Sequence, residues 1–231
     1  MGFYFWNNSS TQPVQPTDTN VHTEMPKAAI IDGLYSLFPN PSFVQSVTGN
    51  LSAAGFKVDV FRGENVTINL LRNVNGYKVL ILRLHSAVGP DGFLYLFSGE
   101  PYSPTEYVFE QRSGSVRKGI TDDRDEFFAI NAAILGKENP SGLNDSTLIL
   151  MGCNGTSDEM TIDVLLEQRV KTYISWSGKV GPAHTDEATM ILVNALYIQK
   201  LNVGNAVAKT MAEVGPDPTF KSILEYRVRN G

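Results

Sequence analysis

Apolar residues in this 231-residue chain gather into short, nearly unbroken runs separated by polar and turn-forming residues. Ala28 to Ile31, Val79 to Leu84, Thr147 to Met151 and Thr172 to Trp176 are such runs. They predict strands covered on both faces, as in a parallel sheet. Phe56 to Phe61 alternates with period two, which predicts an outer strand. Pro41 to Ala54 predicts a helix opened by proline and closed by Gly55. Further helices are predicted over Thr67 to Val74, Asp125 to Leu135, Asp158 to Gln168, Thr185 to Leu201 and Val203 to Val214. Phe93 to Phe97 and Glu106 to Glu110 are β-rich pieces broken by Gly, Pro and Ser, which suggests hairpins over the sheet's rim. Phe220 to Val228 supplies a closing strand. The strand–helix order predicts an α/β fold, a three-layer αβα sandwich with a mostly parallel central sheet and right-handed crossovers.

Two of the buried runs end on reactive side chains. Val79 to Leu84 stops at His85-Ser86, and Thr147 to Met151 stops at Gly152-Cys153-Asn154-Gly155. In open parallel sheets, chemistry gathers at the carboxyl ends of the strands. If the two strands are neighbours, an imidazole and a thiol meet at one edge. An imidazole can take the proton of a thiol, and a following helix start adds a favourable dipole end. The small residues around Cys153 leave backbone N–H groups, those of Cys153 and of Ser86 or Ala87, free to receive a developing oxyanion. Either residue alone reads as an inert core Cys or a satisfied His. The matched pair points to a site.

Composition narrows the alternatives. At 231 residues with 42% hydrophobic residues, the chain has enough material for one domain and its core. The formal net charge is -5 and the only adjacent basic pair is Arg117-Lys118, so a nucleic-acid footprint is absent. The single cysteine excludes an intrachain disulfide and any multi-cysteine metal site. No G-x-G-x-x-G or P-loop occurs. Residues 1–26 read as a disordered tail before a domain over 27–231. The tail opens on the aromatic knot Phe3-Tyr4-Phe5-Trp6, the trimmed end of a membrane anchor or an artificial chain start. Six Asn-x-Ser/Thr triplets hint at an exported or membrane-anchored protein. His22 lies in the tail, and His184 reads as a residue near a helix start. Asp122, Asp123, Asp125 and Glu126 read as a solvated helix start, and their spacing fits no EF-hand loop.

With these residues in view, the chain resembles the clan CD cysteine peptidases, the caspase–haemoglobinase fold, and the related CHAT domains. Leu84-His85-Ser86 stands where that group has its catalytic His, and Leu150 to Gly155 where it has its nucleophile. Ser175-Trp176-Ser177-Gly178 is similar to the Ser-Trp element after the next strand, and Asp186 to Thr189 and Val203 to Val207 to the CHAT pattern beyond it. The resemblance covers roughly Lys27 to Val228. It implies a cysteine endopeptidase with a His85–Cys153 dyad, an acyl-enzyme intermediate, oxyanion donors at Ser86 and Cys153, and a peptide or protein substrate. It implies no cofactor, although calcium activates some relatives. A non-proteolytic signalling or scaffold module on the same fold is the alternative.

Several positions depart from the group. Met151 replaces the Gln or Asp found two residues before the nucleophile, Ser177 replaces the Arg after Ser-Trp, and Ser86 replaces the Gly common after the His. By position, the specificity pocket falls on Asp32, Met151, Trp176 and Ser177. Asp32, its only charge, implies a basic P1 side chain; the competing reading is a turn residue before Gly33. Gln111 to Gly119, with Arg112, Arg117 and Lys118, reads either as an ordered hairpin turn with incidental charges or as an open loop where such an enzyme would cut itself, as it would in the tail at Lys27.

Overall fold

The computed structural model describes residues 24–139 and 142–229; the expected tail lies outside them up to residue 23. The molecule is α/β. Its main sheet holds β1 (Lys27–Asp32), β2 (Lys57–Arg62), β3 (Tyr77–Arg83), β8 (Thr147–Leu150), β9 (Thr172–Trp176) and β10 (Leu224–Val228). The order across it is β10-β9-β8-β3-β1-β2, parallel except for β10 at one edge. Between β3 and β8 the chain builds a second, antiparallel sheet from β4 (Ser86–Val88), β5 (Leu94–Pro101), β6 (Val116–Ile120) and β7 (Glu126–Asn131), in the order β4-β5-β7-β6.

Strand residues of alternating parity feed two cores. Ala28, Ile30, Val79, Ile81, Ile149 and Met151 face α1 (Pro41–Ala53), α5 (Pro182–Val193) and α6 (Val203–Val214). Ala29, Ile31, Leu80, Leu82, Leu148 and Leu150 face α2 (Ile68–Asn73), α4 (Glu159–Glu167) and the second sheet. Each such Leu or Ile, removed from water, contributes about 1.5–3 kcal/mol. This explains why continuous apolar runs mark the central strands.

Two expected elements differ. The helix expected over Asp125 to Leu135 is instead β7, paired on one side with β5 and on the other with β6. Its acidic prelude is the tight β6–β7 turn, where Thr121 N donates to Asp125 O at 3.0 Å and Arg124 is left-handed (φ 70°). The β-piece expected at Glu106 to Glu110 runs into a short helix, α3 (Val108–Ser113), that buries none of its residues. With no buried face it has no apolar period to read. The loop expected over Gln111 to Gly119 is therefore the end of α3, a left-handed Gly114 cap and β6. Arg117 is held by Tyr95 Oη and Asp91, and Lys118 by Glu126.

Among the described residues no helix is long and apolar enough to cross a membrane.

Candidate active site

β3 and β8 are parallel neighbours, with Leu82 beside Leu150, so their exits lie side by side. A side-chain hydrogen bond ties them: Ser86 Oγ donates to Cys153 O at 2.6 Å. Gly152 makes that approach feasible. A Cβ at Gly152 would stand 2.2 Å from Ser86 Oγ and 2.7 Å from Leu84 O. The next turn is fixed against β9. Asn154 is left-handed (φ 57°), its N–H donates to Gly178 O at 2.9 Å, and Thr156 N donates to Trp176 O at 3.2 Å. Gly155 lies so close to Ser175 that any Cβ there would collide with it. The small residues around the cysteine thus have a packing reason.

His85 and Cys153 line one cavity of about 300 Å³. Leu34, Leu37 and Phe38 form one wall, Met151, Val180 and Pro182 another, and Thr121, Asp122 and Asp123 reach it from the β6–β7 turn. A larger depression of about 690 Å³, lined by Asn144, Asp145, Arg169 and Arg229, lies at the amino ends of β8 and β9 and carries no nucleophile. His85 and Cys153 lie in the smaller one.

The His85 ring is held by aromatic edges. Phe38 and Phe97 each stand 6.0 Å from it, centroid to centroid, at 74° and 58°. Its Nε2 is buried and has no hydrogen-bond partner among the described residues. Burial pushes the imidazole below its ordinary value; Asp122 and Asp123 oppose this, while Arg83 adds to it. The thiol takes its contacts from Val180, whose N–H lies 3.5 Å from Sγ and whose carbonyl lies 3.8 Å away. Burial pushes the Cys153 thiol up, against the opposing pull of the Val180 amide. Imidazole and thiol therefore share a cavity as two neutral groups, without a hydrogen bond between them. No acceptor takes the Cys153 N–H among the described residues, whereas Ser86 opens β4 opposite Leu96.

The four residues expected in a specificity pocket part company. Met151 lines the cavity. Trp176 is buried beneath it, its Nε1–H donating to Thr185 Oγ1 at 2.9 Å, and that hydroxyl in turn donates to Met151 O at 3.0 Å. Ser177 is engaged with Ile223, the residue before β10. Asp32 does not line the cavity: it is fully buried and its Oδ1 accepts from Arg83 Nη1 at 2.8 Å. Neither alternative for Asp32 foresaw Arg83, an arginine inside an apolar run whose place in the core is set by the carboxylates around it. His184 lies in the first turn of α5, its ring against Trp176. No three His, Cys, Asp or Glu side chains among the described residues converge as metal ligands.

In comparisons with known proteins, no family model and no curated sequence matches the chain.

Proposed function

We propose that this protein is a cysteine endopeptidase with a caspase-like, three-layer fold. The observation that carries the reading is one cavity lined by His85 and Cys153, set at adjacent parallel-strand exits that Ser86 locks together. Both groups being neutral, the thiol is activated when substrate arrives. His85 takes the Cys153 proton as sulfur attacks the scissile carbonyl, and the Cys153 N–H receives the oxyanion. The imidazolium then gives its proton to the leaving amine, which leaves a thioester on Cys153. Water, deprotonated by His85, attacks the thioester; the thiol recovers a proton and the acid departs.

Asp32, neutralised by Arg83, cannot supply a preference for basic P1 residues. The carboxylates that line the cavity are Asp122 and Asp123, and the preference rests on them. A non-proteolytic module is the second reading, favoured by the thiol's bonding to Val180 and not to the imidazole.

A thiol-reactive peptide ketone separates the two. It should label Cys153 in the wild type and not in His85→Ala, and Cys153→Ala should lose all peptide hydrolysis while keeping its fold. Full hydrolysis by Cys153→Ala sinks the reading. A cleavage library preferring Asp at P1 would remove Asp122 and Asp123 from the specificity account.

A further inference from the structure

Behind the cavity wall lies a buried ionic cluster that the proposed chemistry does not use. Arg83 is 1% exposed, and its guanidinium donates four hydrogen bonds. Nε and Nη2 donate to the two oxygens of Asp186 at 2.7 and 2.8 Å, Nη1 donates to Asp32, and Nη2 also donates to Phe38 O at 2.8 Å. Asn40 joins from the other side, donating to Asp186 Oδ2 at 2.9 Å while its own Oδ1 caps α1 at Phe43 N. Leu34 N completes the ring with a 3.4 Å bond to Arg83 O.

Three of these contacts fall on one segment, the loop Gly33 to Asn40: Leu34 N and Phe38 O meet Arg83, and Asn40 meets Asp186. That loop carries Leu34, Leu37 and Phe38 to the cavity, and Phe38 meets the edge of the His85 ring. Arg83 itself stands two residues before His85. Buried charge clusters stabilise poorly compared with apolar packing, but a guanidinium fork met by both oxygens of one carboxylate fixes geometry.

We propose that Arg83, with Asp186 and Asp32, is the positioning device of the site: it sets the Gly33–Asn40 loop against the β3 exit and through Phe38 holds the His85 imidazole in a dry setting. The catalytic role of His85 rests on the peptidase reading; its setting does not.

Asp186→Asn tests the device, because it leaves Arg83 and Asp32 as a compensated pair able to fold. The charged groups acting on His85 are Asp122 and Asp123 on the β6–β7 turn and Arg83 on β3; Lys179 and Cys153 share the cavity. Deleting a carboxylate by electrostatics alone would lower the His85 titration point. Letting water past a loosened wall raises it. An upward shift of the His85 C2–H NMR titration is therefore expected in Asp186→Asn, with about a tenfold fall in kcat/KM from lost positioning. Phe38→Ala should give the same shift, and Asp186→Asn should add nothing further in that background. An unchanged or lowered titration, or full additivity of the two substitutions, overturns the proposal. If Asp186→Asn does not fold, Asn40→Ser keeps the capping oxygen and drops the bond to Asp186. The same upward shift is then expected, and its absence overturns the proposal equally. A wild type without hydrolysis would sink the peptidase reading, while the titrations still decide for or against the positioning device.

Discussion

At the exits of β1 and β3, Asp32 and Arg83 are buried, charged and paired; at the exits of β3 and β8, His85 and Cys153 are half-buried, neutral and without an ion-pair partner. The two sites share a strand and stand two residues apart along it. In the first, opposite charge and a fork of hydrogen bonds offset most of the burial, although Asp32 Oδ2 is left without a partner and burial pushes that carboxyl up. In the second, the buried imidazole nitrogen has no partner among the described residues, and burial favours the uncharged forms of imidazole and thiol alike. Ion pairing holds the geometry of one region, and its absence leaves the other with the two neutral groups that the proposed chemistry needs.

Removing the guanidinium strikes hardest at this contrast. Arg83→Met leaves Asp32 and Asp186 buried with no cation between them and should cost about 3–5 kcal/mol in urea unfolding. Adding Asp32→Asn and Asp186→Asn to it should restore much of that loss. If Arg83→Met alone costs under about 1 kcal/mol, the paired cluster is not what organises the sheet end.

Closer to the thiol, Gly152→Ala drives a methyl group into Ser86 Oγ and the Leu84 carbonyl. The expected loss is about 1–3 kcal/mol, read from the urea midpoint. Ser86→Ala in the same chain should relieve only part of it, because the carbonyl stays. A Gly152→Ala protein as stable as the wild type would mean that the two exits are not tightly joined.

The unpaired pair also leaves a signature in the pH dependence of stability. His85 is held below its ordinary 6.5, so the unfolded chain binds that proton more tightly, and stability falls as pH drops below about 6.5. Cys153 is held above its ordinary 9.0, so the folded chain keeps a proton the unfolded one sheds, and stability falls as pH climbs past about 9.0. A plateau between these values is expected from urea titrations. His85→Ala should flatten the acid limb and Cys153→Ala the alkaline limb; a limb unchanged by its substitution refutes the assignment.

Much of this was legible in the chain because the central strands are covered on both faces, which leaves an unbroken apolar run ending abruptly at His85 or Cys153. The strand ending at Trp176 was legible for the same reason, and α6 by the stripe that buries Ala206 and Val207. Other features were not. β7 carries Ala129 and Ile130 under an acidic prelude that imitates a helix start, and only its two partner strands make it extended. Asp32 was read from its position alone, as a turn residue or a pocket charge. Its partner Arg83 lies 51 residues away, and a pairing over that separation leaves no local pattern.

The gentlest test separates field from contact at the second site. Asp122 lines the cavity as an exposed side chain without an ion-pair or hydrogen-bond partner among the described residues, and its charge raises both His85 and Cys153. Asp122→Asn should therefore lower the titration points of both groups while leaving the folded structure unchanged. The effect should be the smallest of those considered, because water and salt screen an exposed charge. Alkylation of Cys153 by iodoacetamide gives the thiol arm, with the rate at a fixed neutral pH rising modestly as more thiolate forms. NMR of His85 gives the imidazole arm. High salt should erase the difference between wild type and variant in both. A difference that survives 1 M salt, where the Debye length is about 3 Å, would show that Asp122 acts by contact and not by its field, and that the cavity is less open to solvent on that side than its exposure indicates.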